Sequence, residues 1–111
     1  MPLPEPVKRL PKGSLAGADV YIHDDGRTQV LFFEIPLGHA PVTVPPHSHD
    51  VEWGVVVEGA IDMTIEGRTE RHGPGSTHFI PAGAVHSFTF QPGTVSIHYF
   101  VERRVKLPSH P

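Results

Sequence analysis

The 111-residue chain predicts one all-β domain, a sandwich or barrel of eight or nine short strands. Three observations carry that reading. No stretch of about twelve residues keeps a helical apolar period without a proline or glycine breaking it. Gly (11) and Pro (13) together make up about a fifth of the residues, a level that fits many tight turns. Between these breaks, short runs of β-branched and aromatic residues recur at near-regular spacing.

The elements follow in order. Residues 1–14 hold Pro2, Pro4, Pro6 and Pro11 and read as an extended arm. Residues 15–105 form the barrel domain. Its first strand covers 18–22 and its second 28–35, joined by the turn signal Asp24-Asp25-Gly26-Arg27. Residues 41–46 read as extended. A β-branched run at 52–57 is ended by Gly59. Residues 60–65 alternate, with Ile61, Met63 and Ile65 on one face. Glu66-Gly67-Arg68 is the next turn. Strands at 77–80, 86–90 and 94–101 complete the set, with Gln91-Pro92-Gly93 turning between the last two. Residues 106–111 read as a loose tail.

Composition removes several function classes. Nine Lys+Arg against twelve Asp+Glu give a net charge of −3, a poor match for nucleic acid. The longest apolar run, Val30-Leu31-Phe32-Phe33, is far below the roughly 20 residues of a membrane helix. Met1 to Pro6 lacks the apolar centre of a signal peptide, so a cytoplasmic location is expected. There is no cysteine, which excludes disulfides, thiolate nucleophiles and Cys-ligated zinc. Nine histidines remain, and imidazole is the commonest metal ligand.

Two segments concentrate that chemistry. In His47-Ser48-His49-Asp50-Val51-Glu52 the two histidines share strand parity, so both rings project from one face and can grip one ion. Glu52 has the opposite parity, and a bend or bulge before it would re-aim it toward the pair. The second segment runs from Gly75 to His86. Gly75 and Gly83 open turns at positive φ, Pro81 fixes the chain between them, and His86 is left at a strand start.

Together these segments resemble the paired motifs of the cupin superfamily: a His-x-His pair followed by Glu and Gly, then Gly, Pro-x-Gly and His. His47, His49, Glu52 and Gly59 match the first motif, and Gly75, Pro81, Gly83 and His86 match the second. Pro41 stands where the first motif opens on glycine. Two residues separate His49 from Glu52, one fewer than usual, and Phe90 replaces the second motif's final Asn. The resemblance implies a jelly-roll barrel of two antiparallel sheets, the double-stranded β-helix. It also implies a divalent transition metal (Fe, Mn, Ni, Co, Cu or Zn) held by His47, His49, Glu52 and His86, with two adjacent positions left open. That donor set suits those metals. The shorter spacing leaves two places for Glu52: on the ion, or just behind its ligands.

Other residues take roles around that centre. Phe88 and Phe90 share parity with His86 and would wall the cavity. His78 is the candidate acid or base, or a partner to a ligand. The side taken by His98 depends on strand register. Trp53 reads as packing, Tyr99 as a possible hydroxyl donor to a ligand, and His23, His39, His72 and His110 as surface. The function implied is a metal-binding cupin that binds or transforms a small oxygen-rich molecule, such as a keto acid, diketone or phenol. If catalytic, it would be a dioxygenase, isomerase or lyase. The alternative is a non-catalytic binding or sensing module. A structural adaptor is disfavoured, because no large exposed apolar patch is visible in the sequence. By family analogy a homodimer paired through its sheets is expected, with the proline-rich arm crossing to the partner.

Overall fold

The computed structural model describes residues 3–106. His110 and all of the expected tail except Lys106 lie outside the described residues. Among the described residues, ten strands build two antiparallel sheets. They are β1 (Lys12–Leu15), β2 (Ala18–Asp24), β3 (Gln29–Glu34), β4 (Val42–His47), β5 (Glu52–Glu58), β6 (Ile61–Ile65), β7 (Arg68–His72), β8 (Thr77–Ile80), β9 (His86–Phe90) and β10 (Val95–Phe100). One sheet has the order β1-β2-β3-β10-β5-β8 and the other β4-β9-β6-β7. The jelly-roll class is therefore as expected, and eight sequence-read segments match strands to within two residues at each end.

Local chemistry explains the joints. The Asp25 carboxylate accepts from the Arg27 and Thr28 amides at 2.9 and 2.7 Å and from the Thr28 hydroxyl, closing the β2–β3 hairpin. Glu66 and Gly67 form the two-residue turn of the β6–β7 hairpin, in which Ile65 faces Arg68. Arg68, read from sequence as a turn residue, therefore opens β7 instead. Alternate residues of β2, β3, β6 and β9 turn inward and bury Val20, Ile22, Leu31, Phe33, Met63 and Phe90 between the sheets. Phe33 and Phe90 stack across the gap with ring centroids 4.6 Å apart.

The N-terminal segment differs from the expected arm. Glu5–Lys8 form one helical turn (α1), and β1 pairs with β2. Leu3 is buried, and its amide donates to Glu34 Oε1 at 2.6 Å. This segment packs on its own chain, which removes the expected basis for a crossing arm.

The decisive irregularity is in β4. Val42 and Val44 face Phe90 and Phe88 of β9, and then the register slips so that His47 faces His86. Pro45 and Pro46 sit in the slip, where their missing N–H groups break no ladder. The extra residue resets parity: Val42 and Val44 point inward, and so does His47, three positions later.

Candidate metal centre

Three elements bring the histidines together. His47 ends β4, His49 lies in the link to β5, and His86 opens β9 directly opposite His47. Their ring centroids are 4.2 Å (His47–His86), 4.6 Å (His49–His86) and 5.2 Å (His47–His49) apart. A loop at residues 48–51, rather than a bulge in a continuous strand, separates His49 from Glu52. Glu52 then takes the inward parity of β5, shared with Gly54 and Val56. Gly83, at φ 80°, donates its amide to the His49 carbonyl, so the glycine loop before β9 is tied to the histidine segment.

The tautomers are fixed by what each ring touches. Nδ1 of His47 lies 2.7 Å from the Pro45 carbonyl, Nδ1 of His49 lies against the Asp50 carbonyl, and Nδ1 of His86 is 2.9 Å from the Ala84 carbonyl. A carbonyl only accepts, so each Nδ1 carries a proton and donates it. Each neutral ring then presents a bare Nε2 lone pair. Nε2 of His86 and Nε2 of His49 stand 3.0 Å apart, and one atom from each of the three rings falls within a 4.8 Å group. Lone pairs aimed at one another repel unless a cation lies between them, either a proton on one ring or a metal ion. The donor set fits a divalent transition metal, and carbonyls that fix ring orientation are what metal-ligating histidines usually have.

Glu52 joins this group to a second one. Its Oε1 lies 3.3 Å from His49 Nε2 and 3.7 Å from His86 Nε2. Its Oε2 lies 2.8 Å from His78 Nε2 and 3.0 Å from His98 Nδ1. Those two nitrogens donate to the carboxylate, and Ser96 Oγ, 2.8 Å from His98 Nε2, donates to the far side of that ring. Oε2 is thus occupied from behind and Oε1 is presented to Nε2 of His49 and of His86. Glu52, His78 and His98 are all buried and form a second group with metal-ligand spacing. Hydrogen bonding already accounts for their approach.

The electrostatics follow from burial and partners. Burial opposes the charge on Glu52, but hydrogen bonds from His49, His78 and His98 outweigh it and hold the carboxyl far below the ordinary range. Burial lowers the proton affinity of His78 and of His86, favouring neutral rings. For His49 burial also pulls downward, yet hydrogen bonds to Glu52 and the Asp50 carbonyl raise it overall. His49 therefore gives up its proton less readily than His78 or His86.

A cavity of about 20 Å³ lies beside the centre, lined by Phe33, Phe88, Phe90 and Phe100 together with His47, Glu52, His98 and Arg104. Phe88 and Phe90 are among its lining residues. The space admits about one water, well below the open cup implied by the family resemblance. Several residues lie elsewhere than expected. Trp53 is 54% exposed on the outer face of its sheet, and Tyr99 is also exposed, so neither packs inside nor reaches the cavity. His72 is half-buried, with Nδ1 2.7 Å from Ser76 Oγ in the β7–β8 link. His98 is the residue whose position sequence left open. Ser96, His98 and Phe100 share the inward face of β10, and the polar–apolar mixture at those positions hid it.

The matches to known proteins agree with this architecture. The family model for the Cupin domain matches residues 31–101. No curated protein matches the sequence. Among solved structures, KdgF from Halomonas sp. is similar at TM-score 0.72 and 22% identity, covering 87% of this chain and 89% of that one. An RmlC-like cupin from Shewanella frigidimarina is similar at TM-score 0.74 and 16% identity, with 87% of each chain covered. An oxalate decarboxylase variant from Bacillus subtilis is similar at TM-score 0.68 and 17% identity over 86% of this chain and 28% of that one. At these identities the structures share the fold alone. With its family model spanning most of a two-sheet jelly roll that gathers three histidines and a glutamate, the chain belongs to the cupin domain family.

Proposed function

We propose that this cupin binds one divalent transition metal through Nε2 of His47, His49 and His86 and Oε1 of Glu52, and uses it to hold or transform a small oxygen-rich molecule. The observation that carries the reading is the convergence of His47, His49 and His86, one ring nitrogen from each lying within 4.8 Å of the others, while each Nδ1 is committed to a backbone carbonyl. Such an ion would act as a Lewis acid toward a bound carbonyl, enolate or phenolate oxygen. The chain's own residues do the rest. The carbonyls of Pro45, Asp50 and Ala84 orient the rings, His78 and His98 fix Glu52, and the phenylalanines exclude water.

The small cavity and the engagement of His78 with Glu52 favour a second reading, a non-catalytic binding or sensing module. Turnover of a keto-acid, diketone and phenol panel by the metal-loaded chain separates the two. The reading also includes a homodimer and a cytoplasmic location. The cysteine-free composition makes no demand for an oxidising compartment, and no helix among the described residues is long and apolar enough to cross a membrane.

The test is metal content. The wild-type chain should carry one ion, and the double variant His47→Ala/His49→Ala should carry none while keeping its β-type circular dichroism. Full metal retention by the double variant would contradict the assignment.

A further inference from the structure

We propose that Glu102 is a positioning residue for the metal centre: it anchors the link that carries His49 and sets a negative charge beside that ring, so that a divalent ion is held more tightly. The inference rests on the proposed metal reading and adds to it a residue that does not touch the ion. Glu102 comes two residues after the end of β10. Its Oε1 accepts from the Asp50 amide at 2.9 Å and lies 3.3 Å from His49 Nδ1, the ring nitrogen turned away from the other histidines. The His49 N–H itself donates to the Asp50 carbonyl, and the carboxylate stands beside it. Among the described residues, His49 is the only one of the three rings with a carboxylate against its Nδ1. His47 and His86 have the Pro45 and Ala84 carbonyls there.

The chain on both sides of Glu102 is tied down, so its carboxylate does not reach His49 by a free swing. Before it, the Val101 amide donates to the Val51 carbonyl at 3.3 Å. After it, Arg103 Nε donates to Asp24 Oδ2 at 2.8 Å. The fully buried Gln29 then clamps Val105: its Nε2 donates to the Val105 carbonyl at 2.6 Å, and its Oε1 accepts from the Val105 amide at 2.8 Å. An ion on Nε2 draws electrons from the imidazole and makes its Nδ1–H a stronger donor, so a carboxylate beside that N–H counts for more once the ion is bound. The charge also has something to offset. The Arg104 guanidinium carbon lies 5.9 Å from the Phe100 ring centroid, and the Phe100 ring is in edge contact with His49 at 5.4 Å. The Glu102 side chain is 37% exposed, so water and salt screen part of its effect and place it at the lower end of what such partners contribute, about tenfold in metal affinity.

Co²⁺ titration of the wild-type chain, Glu102→Gln and Glu5→Gln tests this, at low salt and in about 1 M NaCl, where the screening length is about 3 Å. Glu102→Gln keeps an acceptor for the Asp50 amide and removes the charge. Glu5→Gln makes the same change in net charge on an exposed residue of α1. The expected result is Co²⁺ binding about tenfold weaker in Glu102→Gln at low salt, a smaller loss in 1 M NaCl, and no loss in Glu5→Gln. A tether without an electrostatic role would give no such salt dependence. Equal affinities in the wild type and Glu102→Gln, a loss that salt leaves unchanged, or an equal loss in Glu5→Gln would each overturn the inference. Should Glu102→Gln not fold, Glu102→Ala is the second charge-removing variant and is read in the same way. A wild-type chain that takes up no Co²⁺ overturns the metal reading and this inference with it, whereas uptake with equal affinities overturns this inference alone.

Discussion

Glu52 is where the two histidine groups meet, and its two oxygens do different work. Oε2 receives N–H donors from His78 and His98, and Oε1 faces Nε2 of His49 and of His86. Removing a group that orients a metal ligand commonly weakens metal affinity by about 10–100-fold. His98→Ala should therefore weaken binding within that range. His98→Asn, whose amide can replace the Nδ1–H donor, should recover most of it; titration with Co²⁺ reads both. The pH dependence has a definite sign. Ligating imidazoles must be deprotonated, and His49 holds its proton above the ordinary histidine range. Metal affinity should fall as pH drops through and below about 6.5, with protons released on binding. A flat affinity between pH 8 and pH 5 would contradict histidine ligation. His47, His49, Glu52 and His86 were named through the resemblance of their segments to the cupin motifs, since a His-x-His pair alone is a weak signal. His98 was not, because a lone histidine in an apolar strand says nothing until register fixes its face.

At the level of elements, the site depends on two local devices. The Pro45-Pro46 slip turns His47 inward after Val42 and Val44 have already pointed inward. The other is Gly54, which faces His78 of β8 on one side and His98 of β10 on the other. A Cβ at Gly54 would lie 2.5 Å from His78 Cε1 and 2.5 Å from the Ile97 carbonyl oxygen. The carbonyl belongs to the sheet backbone and cannot move aside cheaply. Gly54→Ala should thus destabilise the chain by roughly 1–3 kcal/mol, read by chemical denaturation, and should also weaken metal binding by displacing His78. Strands with apolar alternation, such as β6 and β9, could be read directly from sequence. The Lys-Gly-Ser-Leu and Arg-Thr-Glu-Arg-His strands could not. β1 and β7 lie at sheet edges, and most of their side chains point to solvent, so no apolar pattern marks them.

On the scale of the whole molecule, the outer face of the six-stranded sheet carries a row of aromatic rings that sequence reading did not foresee. Tyr99, Trp53 and Phe79 are direct neighbours across β10, β5 and β8, and all three are exposed. Parity shows that each faces away from the core, but only register places them side by side. This row supports a sheet-to-sheet homodimer better than the N-terminal segment does, since that segment packs on its own chain. Trp53→Glu should convert a dimer into a monomer in sedimentation experiments and leave metal content unchanged. A wild-type chain that is monomeric at high micromolar concentration would refute the pairing. The central claim concerns the interior, and anomalous diffraction from crystals grown with Co²⁺ tests it most directly. One peak is expected within bonding distance of Nε2 of His47, His49 and His86 and of Glu52 Oε1. A peak seated on Glu52, His78 and His98 instead, or no peak at either histidine group, would contradict it.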